Sequence, residues 1–227
     1  MFAEKIIKGE ITSPEALSKE TEQFEDETIE NIKDDLFDSY MLQRLTQNFF
    51  ENLEDYLDVK DIDEMRGVLA MQDDDDIYAA LSLPHELCER KFSQFEKALD
   101  EGTSTPTELI TELINVSKKH SFSIGYHTSP NDIKPDKNGR WSIKGTEKDH
   151  RDNDNVMAYY SRHYRHLFKK KGPKFVYIVR TEPGSHKTDG NWSRASELSI
   201  VAAVPFEDVF HFVERTASQI EKKKDGS

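Results

Sequence analysis

The stretch Ser196-Glu197-Leu198-Ser199-Ile200-Val201-Ala202-Ala203-Val204-Pro205-Phe206 decides the fold. Its apolar run is rich in β-branched and small residues and is bounded by Ser-Glu on one side and Pro on the other. This predicts a strand over 198–204. The next residues place Val209, Phe210, Val213 and Ile220 at helical spacing, which predicts a closing helix over 206–223. Working back, Phe175-Val176-Tyr177-Ile178-Val179 predicts a second strand, and the alternation over 121–126 a third that ends before His127. The spacing of Val156, Tyr160, His163 and Leu167 predicts a helix over 156–170, stopped by Lys169-Lys170-Lys171-Gly172-Pro173. Residues 130–139 and 182–194 read as polar loops, and 107–117 as a short amphipathic helix. This half of the chain is mixed α+β.

The first half reads differently. Ser13-Pro14-Glu15 is a helix start, with Ser as N-cap and Pro at the first helical position. A helical pattern runs from there to about residue 57 with one expected break, followed by helices over 61–70, from Asp73 to Leu81, and from Pro84 to about residue 99. Asp73-Asp74-Asp75-Asp76 lacks the alternating ligands and closing glutamate of a calcium loop, so it reads as an acidic helix start. Asp100-Glu101-Gly102-Thr103-Ser104-Thr105-Pro106 reads as a linker. The expected division is therefore an acidic all-helical domain over 1–105 and an α+β domain over 106–227.

Charge follows the same division. The net charge of −13 is the balance of about −20 over residues 1–115 and about +7 over the rest. That asymmetry suggests two parts with different partners, and an acidic partner such as nucleic acid is drawn to the second. The single cysteine, Cys88, has no disulfide partner and reads as a semi-buried helix residue. No run approaches eighteen apolar residues, and Met1-Phe2-Ala3-Glu4-Lys5 lacks the pattern of a secretion signal. The expectation is a cytoplasmic protein with no membrane contact.

Three segments carry the candidate chemistry: Gly125-Tyr126-His127-Thr128-Ser129-Pro130, Met157-Ala158-Tyr159-Tyr160-Ser161 and Ser196-Glu197-Leu198. They place a histidine at a strand end, a tyrosine pair on the predicted helix and a glutamate opening a strand. Glu197 is notable because the apolar run it opens has no evident use for a charge.

The set resembles the ADP-ribosyltransferase fold shared by diphtheria-type toxins and poly-ADP-ribose polymerases. Tyr126-His127-Thr128 resembles the family's histidine-plus-hydroxyl strand, Ala158-Tyr159-Tyr160-Ser161 its tyrosine helix start, and Ser196-Glu197-Leu198-Ser199-Ile200-Val201 its glutamate strand. The resemblance covers roughly residues 107–215 and implies a split β-sheet catalytic domain. It also implies NAD as substrate, with no metal. Glu197, His127 and Tyr160 are then the catalytic candidates, and Tyr126, His127, Thr128, Ser129, Tyr159, Tyr160, Arg140 and Arg151 line the NAD site. A carboxylate is suited to stabilising the sugar cation that forms as nicotinamide leaves.

Two features depart from the family pattern. Asp149 stands where a second aromatic is expected, which leaves Trp141 or Tyr159 to complete the nicotinamide clamp. Ala195 stands where arginine-modifying members carry a further glutamate. The implied activity is transfer of ADP-ribose from NAD to a macromolecule, RNA or DNA slightly ahead of protein, by a toxin or anti-phage effector. Trp192, Lys187 and Arg194 are suited to stacking on and neutralising a nucleic-acid acceptor. The acidic half would bind an antitoxin or regulator, or cover the basic half. Two other readings stand beside this one: an NAD-dependent RNA 2′-phosphotransferase, which Glu197 counts against, and a non-enzymatic binding module.

Overall fold

The computed structural model describes residues 2–17, 19, 28–119, 124–137, 141–144, 147–149, 155–160, 164, 174–181, 186–189 and 192–225. The chain is α+β and forms two compact units, one of residues 1–13 with 41–121, the other of residues 14–40 with 122–227.

The first unit is helical. It contains α1 (Phe2–Ile7), the C-terminal part of α3 (Ile29–Leu53), α4 (Val59–Leu69), α5 (Asp74–Leu81), α6 (His85–Asp100) and α7 (Pro106–Lys119). Its core is aromatic: Phe92 packs edge-on against Phe49 at 5.4 Å and tilted against Phe95 at 6.2 Å, and Phe49 meets Phe50 at 5.1 Å. Arg66 lies 3.9 Å over the Phe50 ring and donates from Nη1 to the Ile7 carbonyl at 3.1 Å, which ties α1 to α4. Asp58 caps α4 by accepting from the Asp61 amide at 3.0 Å. The aspartate run opens α5, where its charge faces the positive end of the helix dipole.

The expected linker over 100–106 is a tight helix-to-helix turn. Gly102 takes the left-handed conformation at φ +62°, which a residue with a side chain adopts only at a cost. Thr105 and Glu108 cap α7 reciprocally: the Thr105 amide donates to Glu108 Oε2 at 2.9 Å, and the Glu108 amide donates to Thr105 Oγ1 at 3.3 Å. Helix α7 packs on α4, α5 and α6 and so belongs to the first unit, not to the second as a 105/106 boundary would have it.

The second unit holds α2 (Pro14–Leu17), the N-terminal part of α3 and two antiparallel sheets. The strands are β1 (Ile124–Ser129), β2 (Ser142–Lys144), β3 (Glu147–Asp149), β4 (Asn155–Tyr160), β5 (Phe175–Arg180), β6 (His186–Asp189), β7 (Trp192–Ala195) and β8 (Glu197–Pro205), and α8 (Phe206–Asp225) closes it. One sheet runs β1-β5-β8-β2, the other β3-β4-β7-β6. The strands expected at 175–179 and 198–204 are present, and the one expected at 121–126 runs from Ile124 to Ser129.

Two expectations are corrected. Residues 155–160 form strand β4, so Tyr159 and Tyr160 lie on a strand and do not start a helix; Tyr164 is helical, and the rest of the expected helix lies outside the described residues. Within the loop expected over 182–194, residues 186–189 and 192–194 instead belong to the paired antiparallel strands β6 and β7, and the rest lies outside the described residues.

Helix α3 closes one side of the first sheet. Phe37, fully buried, meets the Tyr126 ring edge-on at 4.7 Å and the Tyr164 ring at 5.7 Å. Asp38 accepts from the Tyr126 hydroxyl at 3.0 Å, and Asp34 accepts from the Tyr164 amide at 2.8 Å. The Tyr164 hydroxyl donates to Glu214 on α8 at 2.9 Å, and Lys33 grips the same carboxylate at 2.7 and 2.9 Å. Asp34, Phe37 and Asp38 share one helix face because positions three and four apart align.

Burial, together with the Glu214 hydrogen bond and charge, pushes the Tyr164 hydroxyl far above the ordinary tyrosine value. The folded state therefore keeps this proton at a pH where the unfolded chain releases it, from about 10 upward. The stability that Tyr164 contributes is complete below about pH 10 and falls as pH rises beyond it. Urea unfolding at about pH 8 and about pH 11 will show this fall, and Tyr164→Phe will reduce it.

Candidate functional site

Alternation along a strand and register between strands decide what meets what. His127 sits directly opposite Tyr177, and Tyr177 opposite Ala203. That face carries Tyr177, Val179, Leu198 and Ile200, which form a buried core with Ala195 of β7. It is therefore the side of the first sheet that packs on the second sheet. His127 is half-buried there, and Ser129 lies on the same face.

Tyr126 sits opposite Ile178 and Thr128 opposite Val176, on the other side of the sheet. Tyr126 meets Asp38 and Phe37, so Tyr126 and Thr128, expected to line one site with His127, face the opposite side of the sheet from it. Ser129 Oγ accepts from the Asn131 amide at 3.1 Å and so starts the loop after β1.

That loop is pinned onto the face of His127. The Tyr177 hydroxyl accepts from the Ile133 amide at 2.7 Å and donates to the Asn131 carbonyl at 3.1 Å. Trp141 Nε1 donates to the Ile133 carbonyl at 2.7 Å, and the indole meets the Tyr177 ring edge-on at 6.3 Å. Burial raises the Tyr177 hydroxyl above its ordinary value. Tyr177→Phe strips the amide of the half-buried Ile133 of its acceptor. Its expected cost is about 1–3 kcal/mol, read as a lowered urea midpoint.

Ala158 of β4 pairs with the fully buried Ala195 of β7, and Tyr159 and Tyr160 pair with Arg194 and Ser193. Strands β1 and β4 approach one another. Arg140 and Arg151 lie outside the described residues.

Glu197 opens β8 opposite Lys144. Its Oε1 accepts from Ser142 Oγ at 2.7 Å, and the side chain is half-buried. It shares a face with Ser199, which sits opposite both Arg180 and Ser142. Arg180 is thus the diagonal neighbour of Glu197, within reach of long side chains. This face is the Tyr126 side. Along the strands, Glu197 lies about 17 Å from the His127 rung and about 10 Å across, by ordinary strand spacings. The structure thus holds Glu197 on the reverse of the sheet from His127.

Sequence reasoning missed Ser142, the group that fixes Glu197, and Tyr177, which anchors the loop over His127. Ser142 meets Glu197 only through the β2–β8 pairing, and 55 residues separate them. Tyr177 lay inside a confident strand, where an aromatic reads as core.

Among the described residues, no helix is long and apolar enough to cross a membrane, and no three His, Cys, Asp or Glu side chains gather as metal ligands. Comparison of the chain with protein-family models, with curated proteins and with solved structures gives no match to any of them.

Proposed function

We propose that the second unit is a mono-ADP-ribosyltransferase that moves ADP-ribose from NAD to a macromolecular acceptor. The observation that carries this reading is the Ser142–Glu197 hydrogen bond, a half-buried carboxylate held in place where a strand opens. Strand order supports it: the histidine strand β1 and the glutamate strand β8 flank β5 in one antiparallel sheet, and the tyrosine strand β4 lies in the other.

In the proposed reaction the bond from the ribose C1′ to nicotinamide breaks, and a nucleophile of the acceptor takes its place. Glu197 stabilises the cationic sugar and receives the acceptor's proton. His127 and Tyr160 hold the nicotinamide ribose and ring. The residues fit NAD in part. His127 and Glu197 lie on opposite faces of the first sheet, so a single pocket needs the start of β8 to present Glu197 toward His127.

That separation favours a second reading, a binding module in which NAD chemistry plays no part. One experiment separates the two: nicotinamide release from radiolabelled NAD and label transfer in a cell lysate, with wild type, Glu197→Gln and His127→Ala. The transferase predicts label with wild type and a loss of at least about 100-fold in each variant. Undiminished label with Glu197→Gln overturns the assignment. Absence of release and label, with no protection by NAD against thermal unfolding, leaves the binding module.

A further inference from the structure

Residues 130–137, which follow β1, lie on the first sheet as a strap held at one point. Ile133 is half-buried, and the other seven residues are exposed. Three contacts meet at Ile133. Its amide donates to the Tyr177 hydroxyl at 2.7 Å, its carbonyl accepts from Trp141 Nε1 at 2.7 Å, and its side chain packs on the core around Tyr177 and Leu198. The Tyr177 hydroxyl donates in turn to the Asn131 carbonyl at 3.1 Å. The ion pair between Asp132 and Lys134 is exposed and adds little.

A segment with a single half-buried apolar anchor opens at a lower cost than the sheet beneath it. Pro130 and Pro135 keep their φ angles fixed, so an open strap gains less chain entropy than a free loop, and the bonds at Ile133 decide where it sits. The clasp also stands beside a candidate site residue. Tyr177 is directly opposite His127, and side chains so paired lie about 4.5–5.5 Å apart at Cβ. His127 is itself half-buried, on the face that the strap crosses.

We propose that residues 130–137 form a latched lid over the His127 side of the first sheet, with the Tyr177 hydroxyl as the latch. Breaking the bonds at Ile133 lifts the strap while the sheet stays folded, and His127 is then open to a ligand. Re-forming them closes the strap again. The lid rests on the transferase reading only for what it admits, the nicotinamide ribose of NAD, and its opening is measurable without NAD.

The test follows two groups in the full chain. One is the Ile133 amide, by hydrogen exchange read by NMR without urea and at low urea. The other is His127, by diethyl pyrocarbonate modification read by peptide mass spectrometry. In wild type the Ile133 amide will exchange faster than the amides of β5, which is paired on both sides, and at a rate insensitive to urea, as local opening requires. His127 will react more slowly than His211, which is exposed on α8. Tyr177→Phe leaves the closed amide without its acceptor, so the Ile133 exchange and the His127 reaction will both quicken by about 5- to 150-fold. Trp141→Phe keeps a ring and removes the Nε1 donor, and will quicken both by about 2- to 12-fold. Lys134→Ala, outside the clasp, will change neither.

The lid is overturned if the Ile133 amide exchanges only through global unfolding, with the urea dependence of the β5 amides. It is also overturned if His127 reacts as fast as His211 in wild type, or if its rate is unchanged in a variant whose Ile133 exchange has quickened. Should Tyr177→Phe not fold, Trp141→Phe decides by the same two readouts. Local opening that exposes His127, without label transfer in the lysate, sinks the transferase and leaves the lid; label transfer with His127 unguarded does the reverse.

Discussion

A chain cut to residues 106–227 will not fold. The cut removes residues 14–40, which belong to the unit that contains both sheets. Phe37 is fully buried between the Tyr126 and Tyr164 rings, and Tyr40, 2% exposed, packs on Phe212 at 5.3 Å. Asp34, Asp38 and Lys33 supply partners to Tyr164, Tyr126 and Glu214. Loss of a buried phenylalanine alone costs about 3–5 kcal/mol, against a whole-domain stability of about 5–15 kcal/mol. Losing two aromatics and three polar partners exceeds what remains. Circular dichroism and a proton–nitrogen NMR spectrum will show a molten or aggregated fragment. A dispersed spectrum with a cooperative melt would refute the assignment of 14–40 to this unit. It follows that deletion of 1–105 is no test of whether the acidic region acts as a lid, because the deletion destroys what the lid would cover.

Phe92→Ala will destabilise the helical unit by about 3–5 kcal/mol. Phe92 is 1% exposed, and its ring touches those of Phe49, Tyr56 and Phe95, two of them within tilted or edge-on range at about 6 Å. Removing it opens a cavity ringed by other aromatics, which cannot collapse onto so small a residue. Phe92→Leu keeps much of the volume and will cost less. The two tryptophans, Trp141 and Trp192, both belong to the second unit. Far-UV circular dichroism is therefore the probe for this variant, and indole fluorescence follows the other unit in the same titration. A shift below about 1 kcal/mol would show that the cluster is not the core of its unit.

The helices were legible because periodicity, caps and breakers agree. Ser-Pro-Glu opens α2, the aspartates open α5, and the apolar spacing along α3, α6 and α7 is helical. Strands β5 and β8 were legible for the opposite reason, since both are continuous apolar runs. What stayed hidden is polar. His186-Lys187-Thr188-Asp189 and Trp192-Ser193-Arg194-Ala195 have too few apolar residues to show a period of two. The Gly190-Asn191 between them is the two-residue signal that marks such a hairpin in a sequence. Strand β4 was lost to an accident of spacing, with Val156 and Tyr160 four apart while Val156, Ala158 and Tyr160 also alternate. The unit boundary was hidden because a glycine-containing turn with a capping box has the composition of a linker.

For the candidate site, the residue types and their order were readable, but which side of the sheet each takes was not. Parity fixes that, and parity depends on where a strand starts: His127 and Tyr126 differ by one position and face opposite ways. The position of Glu197 on the reverse side follows from its pairing with Lys144, which no local pattern encodes.

The split of α3 between units bears on how the protein emerges from the ribosome. The segments that complete the helical unit, 1–13 and 41–121, are synthesised early and can consolidate once residue 121 is out. Residues 29–40 are made before most of that unit, yet the Tyr126, Tyr164 and Phe212 rings that Phe37 and Tyr40 meet in the folded unit follow roughly 90 to 170 residues later. During that interval the half-helix presents its aromatic side to solvent or to a chaperone, and closure of this long-range contact, not helix formation, sets the pace at which the second unit matures.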